Sequence, residues 1–176
     1  ASERVAWATG SGGTVLRTAN GGTSWAKQTP AGGEGLDFRD VDAIDERTAY
    51  ALSIGPGPAS RIYKTTDAGA TWQRQFTNDD PKAFYDAMAF WDAQHGIAFS
   101  DSVDGQFVIF TTGNGGADWI RVPADHLPPA LPGEGAFAAS GTNVAMGAGG
   151  QIWIGTTKSR VLRSLGFGLF VKGDDA

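Results

Sequence analysis

Three tryptophans constrain this chain more than any other feature. Trp25, Trp72 and Trp119 stand 47 residues apart, and each closes the same eight-residue string. The strings are Thr18-Ala19-Asn20-Gly21-Gly22-Thr23-Ser24-Trp25, Thr65-Thr66-Asp67-Ala68-Gly69-Ala70-Thr71-Trp72 and Thr112-Gly113-Asn114-Gly115-Gly116-Ala117-Asp118-Trp119. All three reduce to Thr-x-[Asp/Asn]-x-Gly-x-x-Trp. Self-similarity at a period of about 40–50 residues is the mark of a repeat architecture.

The repeat extends upstream of the motif. Val15-Leu16-Arg17, Ile62-Tyr63-Lys64 and Ile109-Phe110-Thr111 hold the same offset before it. Val161-Leu162-Arg163 is a fourth such segment, after which the motif decays: Gly166 replaces Asp/Asn, Gly168 keeps the glycine and Val171 replaces Trp. Earlier in each unit lie the alternating stretches Val5–Ala8, Ala49–Leu52, Ile97–Ser100 and Ile152–Gly155. Phe38–Ile44, Phe84–Phe90 and Ala136–Met146 precede three of them. Alternation with period two is the strand signature, so each unit reads as four short strands. Four-stranded units at this period are propeller blades. The expected fold is all-β: a partial β-propeller of about 3.5–4 antiparallel blades over residues 1–30, 36–78, 82–123 and 134–172. The first unit begins at its second strand, which points to a fragment of a 6–8-bladed propeller or to closure by a second chain. Open blade edges invite pairing, so a homodimer is one expected assembly.

The motif has a local purpose. The Asp or Asn should accept backbone N–H groups two residues on and close the turn between strands three and four. The glycine that follows supplies positive φ. The Trp opens the fourth strand, and Trp25, Trp72 and Trp119 are expected to be largely buried in equivalent roles, each indole N–H with one partner. Thr18, Asn20, Gly22, Trp25, Thr65, Asp67, Gly69, Trp72, Thr112, Asn114, Gly116 and Trp119 are therefore assigned as structural. They also account for part of the glycine content, 26 residues of 176.

These strings resemble the Asp-box (BNR) repeats of sialidase-like β-propellers, and among those they are most similar to photosystem II stability/assembly-factor-like proteins. The resemblance implies a non-enzymatic propeller that binds other proteins, with no cofactor, often in a periplasmic or secreted setting. The sialidase relatives carry an arginine triad and a Phe/Tyr-Arg-Ile-Pro signature. The nearest string here, Phe38-Arg39-Asp40-Val41, lacks the Ile-Pro.

Composition narrows the chemistry further. There is no Cys, which excludes disulfides and thiolate ligands, and the net charge is −5 with scattered basic residues. A nucleic-acid partner needs a clustered basic stripe, so none is expected. No apolar run approaches a membrane span. No metal site is expected: His95 and His126 lack a third ligand, and Ser100–Gly105 fits a hairpin ending in Asp-Gly better than a calcium loop. The resemblance implies a protein partner, with a glycan as the alternative.

Carboxylates are the remaining catalytic residues. Asp40 and Asp86 read as equivalent positions on neighbouring innermost strands, and Glu34 and Glu134 sit in Gly-Glu-Gly turns just before such strands. Converging at the central mouth, two of them at suitable separation would serve glycoside hydrolysis or glycan binding. The Pro-rich segment 123–135 is the candidate partner-binding element, with Leu127, Leu131 and Glu134, together with Trp91 at the Trp91-Asp92 turn.

Overall fold

The computed structural model describes residues 2–138, 141–166 and 170–171. Its strands form four separate antiparallel sheets. Blade one holds β1 (Ala6–Gly10), β2 (Thr14–Thr18) and β3 (Ala26–Lys27). Blade two holds β4 (Asp37–Ala43), β5 (Ala49–Ile54), β6 (Arg61–Thr65) and β7 (Gln73–Thr77). Blade three holds β8 (Tyr85–Phe90), β9 (Gly96–Val103), β10 (Gln106–Thr112) and β11 (Ile120–Arg121). Blade four holds β12 (Val144–Met146), β13 (Ile152–Gly155), β14 (Val161–Ser164) and β15 (Phe170–Val171). Within each sheet the strands are ordered as they occur in the chain, so every blade is a simple meander. The chain is a partial β-propeller, as its period predicts.

Register places the repeat on the backbone. Ala6 pairs with Thr18 as Ala49 pairs with Thr65, so β1 is the counterpart of β5, the second strand of a blade. Blade one accordingly has three strands. The expected strand over Ala136–Met146 is shorter than anticipated: β12 covers only its last three residues.

The core consists of layers between successive blades, because each sheet carries apolar side chains on both faces. Val15 of blade one packs with Phe38, Ala51 and Tyr63 of blade two. Leu52 and Ile62 of blade two pack with Tyr85, Met88 and Ala98 of blade three. Phe99 and Ile109 of blade three pack with Ile152, Ile154 and Leu162 of blade four. A residue such as Ile62, fully buried here, contributes about 1.5–3 kcal/mol of transfer free energy.

The repeated turn works differently from the expectation. Its central acceptor is the threonine: Thr65 Oγ1 receives the N–H groups of Asp67 at 3.3 Å and Gly69 at 2.9 Å. Asp67 Oδ1 receives the N–H of Thr71, four residues on, at 2.9 Å, together with the Thr65 hydroxyl at 2.8 Å. Thr18/Asn20 and Thr112/Asn114 repeat this arrangement. The bond two residues on belongs to Thr, and the Asp/Asn bond spans four. Gly22, Gly69 and Gly116 hold φ of 85°, 86° and 83°, a conformation that L side chains resist.

The tryptophans are not equivalent in burial. Trp72 meets the edge of Trp7 of blade one at 5.7 Å, and Trp119 packs on Phe76 and Phe90 at 6.2 and 5.9 Å. Both are half-buried, whereas Trp25 is 45% exposed because no described residue covers it from a preceding blade. The indole N–H groups of Trp72 and Trp119 have no hydrogen-bond partner among the described residues. The expectation of three buried, hydrogen-bonded tryptophans is corrected on both counts. The decayed fourth motif falls partly on residues 167–169, outside the described residues.

Candidate functional site at the inner strands

The four carboxylates singled out from the sequence come to different places. Asp40 lies on β4, buried, and its Oδ2 accepts the backbone N–H of Met88 on β8 at 2.8 Å. Two residues on, Asp42 Oδ2 accepts the N–H of Phe90 at 2.7 Å. The unpaired inner edge of blade three is thus capped by carboxylates of blade two, a use that answers the rule that buried N–H groups find partners. Burial lifts Asp40 to about 6, opposed by the Met88 bond, and the Asp42 charge adds to the rise.

Asp86 is not the counterpart of Asp40. The β4–β5 ladder skips Arg39 between Phe38 and Asp40, and the β8–β9 ladder skips Asp86 between Tyr85 and Ala87. Asp86 therefore matches the bulged Arg39, and Asp40 matches Ala87. A one-residue slip moves a side chain to the other face, so the two aspartates do not converge as equivalents.

Asp86 instead faces Asp101 of β9, carboxyl to carboxyl. Burial pushes Asp86 up to about 8, and the Asp101 charge and hydrogen bond push in the same direction. Two carboxyls that interact in this way do not ionise independently. Asp101 Oδ1 also accepts the N–H of Ala136 at 3.0 Å, tying the connection between blades three and four to β9.

The native protein holds protons here that the unfolded chain, with ordinary carboxylate values, releases from about pH 4 upward. This stabilisation is therefore full below about pH 4 and is lost as pH rises, through about 6 for Asp40 and about 8 for Asp86. The expected result is a Tm several degrees lower at pH 8 than at pH 5, on the order of 1–2 kcal/mol after solvent screening. Asp86→Asn should flatten the slope between pH 6 and 8, and a Tm that rises with pH in wild type contradicts the assignment.

Glu134 is internal. Its side chain is wholly buried, Oε1 accepts the Thr156 hydroxyl at 2.6 Å, and Oε2 accepts Leu131 N–H at 2.7 Å and Arg160 Nη1 at 3.2 Å. Its main-chain oxygen accepts the Ser102 hydroxyl at 2.5 Å. Asp101 and Glu134 line one cavity of about 300 Å³ with Gly133, Gly135 and Thr157. Both oxygens of Glu134 are already engaged there. Glu34 is exposed and distant in role: it accepts Gly32 N–H at 3.3 Å and lines a separate cleft.

The Pro-rich segment lies along blades three and four. Ala130 donates to Gly105 at 3.0 Å and Pro129 bridges Gln106. Leu127 is 7% exposed and belongs to the core between these blades, so it offers no surface. Leu131 remains 43% exposed. Trp91 stacks on His95 at 5.7 Å and 9°, with Asp92 Oδ2 2.8 Å from His95 Nδ1, and borders a cavity of about 240 Å³. Asp104 and Gly105 form the two-residue hairpin turn expected between β9 and β10, both at positive φ.

Sequence reasoning did not anticipate the grooves between successive blades. The larger, about 640 Å³, is lined by Lys27, Gln28, Glu34, Thr71 and Trp72. Its counterpart one blade on, about 280 Å³, is lined by Lys64, Gln75, Asn114 and Ala117. The 47-residue period carries the signal for both, since each forms where one blade's outer strands meet the next blade's turn.

Four meander sheets joined through such turns define a protein of the propeller class. Solved structures share this backbone. Over 99% of this chain and 66% of the other, it superposes on YCF48 bound to a D1 peptide with TM-score 0.56 and 13% identity. It matches YCF48 from Cyanidioschyzon merolae with TM-score 0.62 and 17% identity, covering 98% of this chain and 51% of that one. The GH74 enzyme of Niastella koreensis matches with TM-score 0.61 and 14% identity over 92% of this chain and 27% of its own. The chain spans two-thirds or less of the length of these proteins. No protein-family model and no curated protein matches the sequence. The likeness to YCF48 is one of fold.

Proposed function

We propose that this chain is a non-enzymatic Asp-box propeller scaffold that binds an extended segment of a protein partner. The observation that carries the reading is the groove of about 640 Å³ between blades one and two. It combines an aromatic edge (Trp72), a cation (Lys27), an anion (Glu34) and amide and hydroxyl groups. That is the mixture a peptide backbone with alternating side chains requires. The similar fold of YCF48, solved with a D1 peptide, supports a peptide as the occupant.

The test is NMR titration of the chain with a panel of unstructured peptides of both charge signs. Shift changes are expected to cluster at Lys27, Glu34 and Trp72, and Lys27→Glu should weaken binding by about tenfold or more where the peptide is acidic. Changes confined to other surfaces would remove this site.

A glycan-directed reading rests on the fold shared with GH74 enzymes and on the raised Asp86 carboxyl, which could hold a proton near neutrality. Against it, Asp40 is bonded to Met88 N–H and Glu134 to Arg160, so neither stands beside Asp86 as a second catalytic carboxylate. Release of an aryl leaving group from simple glycosides, lost in Asp86→Asn, would favour this reading over the scaffold.

A further inference from the structure

The outer strand of blade two is a sheet edge unlike its counterparts in the neighbouring blades. β7 runs for five residues, Gln73–Thr77, where β3 and β11 run for two. Phe76 makes the difference. Its ring packs on Tyr85 and Phe110 of blade three at 5.2 and 5.1 Å, which holds the end of β7 in the ladder. At the same offset blade one has Thr29 followed by Pro30, and blade three has Pro123. Proline gives no N–H to a ladder, so those strands stop.

β7 has β6 on one side and no strand on the other. Among the described residues, the main chain of Gln73–Thr77 makes no hydrogen bond outside its own sheet. Its outward N–H and C=O groups are a template for a further strand. Two features restrict what can pair there. Gln75 bulges from the β6–β7 ladder, which skips it between Arg74 and Phe76. Arg74 is exposed opposite Tyr63, in the place that Lys27 and Arg121 hold opposite Leu16 and Phe110. Bulges and charges are the usual guards against indiscriminate edge pairing.

The charge also selects. Arg74 and Lys64 line one groove of about 280 Å³ with Gln73, Gln75 and Asn114, and no carboxylate lines it among the described residues. Neither cation is paired with a carboxylate among those residues. Lys64 is held in place by its bond to the Gly115 carbonyl at 2.8 Å, so its charge is fixed before any partner arrives. The side-chain amides can bond a peptide main chain. A run of phosphates would instead meet Asp118, next in the chain to Ala117 of the groove wall, and a net charge of −5.

We propose that an extended acidic segment of a protein partner adds to β7 as a fifth strand of blade two, with a carboxylate on Arg74. Main-chain bonds along Gln73–Thr77 supply affinity, and the Arg74 and Lys64 charges supply selectivity. This edge lies one blade on from the groove of Lys27, Glu34 and Trp72, and either site can fail without the other.

The probe is a short capped peptide of alternating Thr and Glu, compared with the same peptide carrying Lys in place of Glu. Amide spectra of the chain are recorded during titration with each, and hydrogen exchange is then followed in the complex. The Glu peptide should shift the amides of Gln73–Thr77 and slow exchange of the outward ones by about tenfold or more. Arg74→Glu, at an exposed position, should weaken that binding by about tenfold or more and admit the Lys peptide, with an unchanged circular dichroism spectrum. Lys27→Glu should leave binding at β7 within a factor of about two. Shifts confined to Lys27, Glu34 and Trp72 overturn strand addition and leave the first groove standing. Absence of binding, equal binding of the two peptides, or indifference to Arg74→Glu overturns it as well. A stronger response of these amides to inorganic polyphosphate than to the Glu peptide overturns the protein partner.

Discussion

Replacing Tyr50 by Ala is expected to lower stability by about 3–5 kcal/mol, or roughly 6–20 °C in Tm. Tyr50 is fully buried between blades two and three. Its ring stacks on Phe90 at 3.7 Å, and its hydroxyl reaches the Gly115 carbonyl 65 residues away. Truncation therefore removes packing from a site that cannot collapse, since strands on both sides hold it open. Tyr50→Phe isolates the hydroxyl and should lose only about 1 kcal/mol, because Lys64 still donates to Gly115. Thermal melts followed by circular dichroism decide the matter. Equal losses for Ala and Phe would show that the ring is not what joins these blades.

Glu134→Ala should be comparably damaging, about 3–5 kcal/mol. The substitution leaves the Arg160 guanidinium, 16% exposed, without its carboxylate, and strips acceptors from Leu131 N–H and the Thr156 hydroxyl. Glu134→Gln keeps the shape and one acceptor oxygen and should lose about 1–3 kcal/mol. Urea unfolding gives the two values, and hydrogen exchange should show loss of protection around Leu131 and Glu134 in the Ala variant first. Unchanged stability in Glu134→Ala would free this residue for a ligand-binding role. The sequence alone had allowed that role, since a glutamate between two glycines looks like a solvent-facing turn.

What could be read in advance followed from short-range chemistry. The period of 47, the alternating strands and the Asp-Gly hairpin at 104–105 all appear where expected, and the blades follow from them. The threonine's share in the turn was missed: Thr18, Thr65 and Thr112 occupy the same place in all three copies, but the expected acceptor was the Asp or Asn. The inner strands were harder. Arg39 and Asp86 are bulges, and one skipped residue changes which carboxylate faces which strand. A bulge leaves no mark on hydrophobic alternation until the partner strand is known. The Pro-rich segment has no periodicity at all, so nothing in its residue order distinguishes the buried Leu127 from the exposed Leu131.

By itself, then, the sequence determined a turn, a strand pattern and a repeat. Each is a matter of bonds and dihedrals within a few residues: Thr65 to Gly69, Asp67 to Thr71, a glycine at positive φ. Tertiary structure alone decided what each surface meets. Trp119 is covered because Phe76 and Phe90 lie beside it, while Trp25, with the same local motif, faces outward. Asp40 caps a neighbouring blade and Glu134 holds Arg160, by contacts 48 and 26 residues away. Burial and charge pairing depend on what is near in space, and in a meander of blades those neighbours come from the next unit, not from the residues on either side.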